Sequence, residues 1–134
     1  MSITLTDQDK TTLRIAAYGA VTLLGAAGAV GGSPHRIATN GSLALGAATG
    51  PVGHVLADYP KGKELNGRSV AEIADRVLPA LTAAMTLLNA QDPAEAGNFR
   101  HTVVTAIESA VHDSRPTPVM TDVIRKITDA LDAA

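Results

Sequence analysis

Between Arg14 and Arg36 no side chain carries a full charge, and between Arg36 and Asp58 none does again; only His35 and His54 interrupt these runs with a group that ordinarily titrates near neutral pH. Uncharged stretches of this length have three homes: a lipid bilayer, a secretion signal, or the interior of a helical protein. The run Ile15 to Gly32 is long enough to span a bilayer, and Ile37 to Val55 comes close. Their composition points elsewhere. Insertion is driven by Leu, Ile, Phe and Val, whereas these runs consist largely of Ala, Gly and Thr, with Asn40, Ser42 and Pro51 in the second and no tryptophan anywhere. Ala27-Gly28-Ala29 matches a small-residue cleavage site, but Asp7, Asp9, Lys10 and Arg14 sum to about neutral where a signal peptide needs a positive start. The remaining reading is a small-residue helical hairpin, over about 7–59, at the centre of an all-α domain.

Local signals divide that hairpin. Thr6 is a helix N-cap with Asp7 and Asp9 in the first turn, where negative charge suits the helix dipole, and the helix is expected to run to about Val30. Gly31-Gly32 stops it, and Ser33-Pro34 is a cap followed by a first-turn proline. The second helix runs toward Tyr59, bent or briefly broken at Gly50-Pro51. Ala20, Gly25, Gly28, Gly41, Ala44 and Ala48 would let helix backbones approach closely.

Three one-sided helices follow the polar loop "KGKELNGR" at 61–68. Ser69-Val70-Ala71-Glu72 is a capping box, and Val70, Ile73, Ala74, Val77, Leu78, Leu81, Ala84, Met85 and Leu88 line one face of a helix over about 70–90, with Pro79 on the opposite face. Asp92-Pro93-Ala94-Glu95 starts a helix over about 93–112 that buries Phe99, Val103, Ala106, Ile107 and Ala110. After "DSRPTP" at 113–118, Val119, Val123, Ile127, Ala130 and Leu131 form the apolar side of a last helix. The expectation is a single helical domain, 1–134, of about five helices, a length that buries roughly two-thirds of the unfolded surface.

Composition narrows the chemistry. The absence of cysteine removes disulfides, thiol nucleophiles and cysteine metal sites. A net charge of −2 without a basic run gives little attraction to a phosphate backbone, and Tyr18, Tyr59 and Phe99 are the only aromatics, so nucleic acid is not an expected partner. Neither "GAATGPVG" nor "GAAGAVGG" has the lysine or the spacing of a phosphate-binding loop, and no serine sits in a G-x-S-x-G elbow. Nothing singles out a cofactor.

Three side-chain sets remain. His54 and Asp58, at i and i+4, could act as an acid–base pair, since a carboxylate one turn from an imidazole raises its basicity and orients it; the plain alternative is a histidine at a helix C-terminus. His101, Glu108 and His112 share one stripe of a helix and could contribute metal ligands, although that stripe lies opposite the Phe99 face and should point into solvent. Ser33, His35 and Arg36 occupy a helix start, where free N–H groups attract anions. Arg68-Ser69 with Lys61 and Lys63 form a weaker set of the same kind.

No constellation here reads as an active site. The favoured expectation is a non-enzymatic helical interaction module forming a homo-oligomer, a homodimer in the simplest case, because the small-residue hairpin offers more apolar surface than three helices cover. The alternatives are an enzyme or a carrier of a small apolar ligand with a pocket at His54 and Asp58, or a metal protein using His101, Glu108 and His112. A cytoplasmic location accompanies all of these.

Overall fold

The computed structural model describes residues 3–28, 34–58, 60, 69–112 and 117–134, the side chains of 34–36 excepted. The described residues form an all-α bundle of six helices: α1 (Asp7–Ala27), α2 (Pro34–Gly46), α3 (Gly50–Leu56), α4 (Val70–Gln91), α5 (Pro93–Val111) and α6 (Pro118–Asp132). Among them no helix is long and apolar enough to cross a membrane.

The uncharged first run becomes the hub. α1 touches every other helix, and the unbroken buried stretch from Ala16 to Val21 shows that it is enclosed on all sides. Its start is held by the reciprocal capping box of Thr6 and Asp9, in which Asp9 N–H donates to Thr6 Oγ1 and Thr6 N–H donates to Asp9 Oδ2, each at 3.0 Å. Close approach depends on glycine. A Cβ on Gly19 would stand 2.5 Å from Val77 Cγ2 on α4, and one on Gly41 would stand 2.7 Å from Val21 Cγ1 on α1. Both lie below any separation that real Cβ contacts show, so helices α2 and α4 seat against α1 at backbone distance.

The expected second helix is two. α2 ends at Gly46, Thr49 is the N-cap of α3, and Gly50 turns the chain between them with φ of +79°, in the left-handed region that glycine enters without a Cβ penalty. The break falls just ahead of Gly50-Pro51, and it raises the helix count to six. α2 also departs from the image of an enclosed hairpin arm. It packs on α1 and α5 through Ile37, Gly41 and Leu45, while Thr39, Leu43 and Gly46, and Ala47 just beyond its end, are exposed.

The three later helices follow their apolar patterns. Phe99, Val103, Ala106, Ile107 and Ala110 are all buried on α5. Pro79 lies on the exposed side of α4, away from the core. On α6 one position differs: Met120, Val123, Ile127 and Leu131 are buried, and Val119 is 51% exposed. At 100° per residue Met120 falls nearer the centre of the buried face than Val119, which is left at its edge in the first turn.

Candidate functional site

The uncharged second run builds one outer surface of the molecule. Ile37 to Ala57 contains no Asp, Glu, Lys or Arg, and its exposed positions are Thr39, Leu43, Gly46, Ala47, Thr49, Gly50, Pro51, His54 and Ala57. Leu43 is 69% exposed, more than any other large hydrophobic side chain among the described residues. Two neighbouring hollows between α2 and α5 meet at Ala44. One, of about 310 Å³, is lined by Ala44, Ala47, Ala48, Thr49 and, across from them, Asn98, His101, Thr102 and Thr105. The other, of about 460 Å³, lies between Asn40, Leu43 and Ala44 on one side and Ser109 and His112 on the other. Leu43 therefore stands as a projection at the lip of a groove.

Polar contacts lie at one end of the groove. Asn98 Nδ2 donates to Thr49 O at 3.4 Å, tying α5 to the cap of α3, and Thr102 Oγ1 donates to Asn98 O at 2.8 Å. Glu95 lies next to Gly50, and its Oε2 is buried without a hydrogen-bond partner among the described residues. Charged pairs lie away from the groove. Arg125 pairs with Asp122 and Asp129, Lys126 with Asp122, and Arg100 with Asp132, around α6. The Lys126 and Arg125 hydrogen bonds hold the Asp122 carboxyl below its ordinary range, and the Arg100 hydrogen bond does the same for Asp132.

The structure places His54 and Asp58 apart in role. α3 ends at Leu56, so Asp58 is no longer one helical turn beyond His54. Asp58 Oδ2 instead meets Arg14 NH2 at 3.5 Å, while Arg14 Nε donates to Val55 O at 3.0 Å and Tyr18 Oη to Leu56 O at 2.5 Å. Two side chains of α1 thus cap the carbonyl end of α3. Among the described contacts no hydrogen bond or ion pair joins His54 to Asp58. His54 is exposed and borders a hollow of about 430 Å³ with Ile3, Thr4, Leu5, Lys10, Pro51 and Val55.

His101, Glu108 and His112 are all exposed on the outer stripe of α5, and among the described residues no three His, Asp or Glu side chains come together as a metal site. The stripe nevertheless meets α2, because His101 and His112 each line one of the two hollows beside Leu43. The sequence pattern groups these histidines with each other rather than with Leu43. Ser33, Lys61, Lys63 and Arg68, and the side chains of His35 and Arg36, lie outside the described residues.

No family model, curated protein or solved structure matches this chain.

Proposed function

We propose that this protein is a helical interaction module that docks a partner protein on its α2–α5 face. The observation that carries the reading is the exposure of Leu43, 69%, within the run Ile37 to Ala57, which has no Asp, Glu, Lys or Arg. A solvated leucine is ordinary when it stands alone; here it lines one hollow, with Asn40, Ala44, Ser109 and His112, and stands beside a second that is rich in alanine and threonine, so that an apolar side chain has concave surface next to it. The polar atoms of Asn98, Thr102, Thr105, His101 and His112 around it supply the rim that such a patch needs for specificity.

The test is differential capture from cells that express the protein, using three baits: the unchanged chain, Leu43→Asp, and Lys126→Glu on the charged α6 surface. All three should melt at closely similar temperatures. The reading expects proteins retained by the unchanged chain and by Lys126→Glu to be lost from Leu43→Asp. Identical capture by all three baits would contradict it.

A further inference from the structure

Independently of the α2–α5 face, we infer that the hollow beside His54 binds a small amphipathic carboxylate, its apolar body against Ile3, Leu5, Pro51 and Val55 and its carboxylate group between Lys10 and His54.

Three separate pieces of the chain build this hollow of about 430 Å³: the residues ahead of α1 supply Ile3, Thr4 and Leu5, α1 supplies Lys10, and α3 supplies Pro51, His54 and Val55. One wall is fastened from behind. Thr4 N–H donates to Gln91 Oε1 and Gln91 Nε2 donates to Thr4 O, both at 2.7 Å, so the segment that carries Ile3 and Leu5 is tied to the end of α4 at its middle residue. Ile3 and Leu5 pack against the core, and Val55 is buried. The volume lies within the roughly 300–1,000 Å³ of small-molecule sites, which combine apolar walls with a few polar groups.

Charge selects the head group. The chain carries a net charge of −2, yet both titratable side chains that line the hollow, Lys10 and His54, are basic. The carboxylates of the same region are engaged elsewhere: Asp9 accepts the Thr6 N–H in the cap of α1, Asp58 pairs with Arg14, and Asp7 lines a different hollow with Thr11 and Arg14. Glu95, next to Gly50, does not line this one. Among the described residues the half-buried Lys10 has no ion pair, and the His54 imidazole makes no hydrogen bond. One ammonium and one imidazole N–H suit the two oxygens of a single carboxylate. A phosphate dianion would bring more charge than they offset, and an uncharged apolar molecule would leave both donors unused.

Titration of the isotope-labelled full chain with octanoate, followed by amide NMR, tests this directly, with 1-octanol and inorganic phosphate as comparison probes. Octanoate should produce saturable shifts centred on Leu5, Lys10 and Val55, and should bind more tightly than either comparison probe. Lys10→Met should weaken octanoate binding by about tenfold, the scale of one lost charge-assisted hydrogen bond, and His54→Ala should weaken it less. Both variants leave the core untouched, and thermal melting checks that they fold. Leu43→Asp should bind octanoate as the unchanged chain does, because Leu43 lines no part of this hollow. The inference is overturned by the absence of saturable shifts at millimolar octanoate, by shifts centred elsewhere, by undiminished binding in Lys10→Met, or by octanol or phosphate binding as tightly as octanoate. None of these outcomes bears on capture through Leu43, so the two readings fail separately.

Discussion

Gly41 of α2 meets Val21 of α1 so closely that a methyl group on Gly41 would stand 2.7 Å from Val21 Cγ1, and with the burial of Ile37 and Leu45 this contact marks the inward side of α2. Ile37, Gly41 and Leu45 repeat every four residues and point inward, so Leu43, displaced by half a turn from both Gly41 and Leu45, points out. The exposure of the candidate docking residue thus follows from the inward packing of the Ile37, Gly41 and Leu45 stripe.

Gly41→Ala should destabilise the protein although alanine is the better helix former. Overpacking against the stiff Val21 costs about 1–3 kcal/mol and outweighs the roughly 1 kcal/mol gained in propensity. Gly97→Ala, on α5, provides the opposite sign, since nothing lies within 4 Å of its Cβ position; stability should rise by about 0.5–1 kcal/mol. Urea midpoints moving down for the first and up for the second are the expected pair of results.

Tyr18→Phe removes the hydroxyl that donates to Leu56 O at the end of α3 and leaves a buried carbonyl without that donor. A loss of about 1–2 kcal/mol follows. Hydrogen exchange should quicken in α3 before it does in α4 or α5, because Tyr18 and Arg14 of α1 hold the carbonyl end of that short helix.

The chain ahead of α1 is clasped to the far end of α4. Thr4 N–H donates to Gln91 Oε1 and Gln91 Nε2 donates to Thr4 O, both at 2.7 Å, while Ile3 and Leu5 pack against the core. Gln91→Ala should cost only about 0.5–1 kcal/mol, since both bonds are exposed. Its distinctive effect is local: amide protection at Thr4 should fall, with the rest of the bundle unaltered.

Acid should loosen α6 from α5. Asp132 is held below its ordinary carboxyl range by the Arg100 guanidinium, so its contribution to folding is complete above the unfolded carboxyl value of about 4 and is lost as pH falls through the lower folded value. Asp132→Asn should therefore flatten the fall in melting temperature below about pH 4 and lower the melting temperature slightly at neutral pH. Equal acid profiles for the two proteins would contradict the pairing.

How far the sequence discloses this molecule depends on where polar residues mark a face. α4, α5 and α6 alternate apolar and charged residues at helical spacing, and their buried sides are legible with Val119 the one misplaced position. α1 is legible because a helix apolar on every side has to be enclosed. α2 is less so, since Leu43 and Leu45 have the same chemistry and no charged residue lies near either of them; the packing of Ile37, Gly41 and Leu45 on α1 and α5 sets the rotation, leaving Leu45 fully buried and Leu43 exposed. The His54–Asp58 spacing misleads for a related reason. It presumes a helix continuing to Asp58, whereas α3 ends at Leu56 and the carboxylate swings to Arg14.

The most direct measurement is capture from cells that express the protein, with the unchanged chain and with Leu43→Asp, both shown to be folded. Loss of the retained proteins from Leu43→Asp is the predicted result. Retention of the same proteins by both baits would contradict the account.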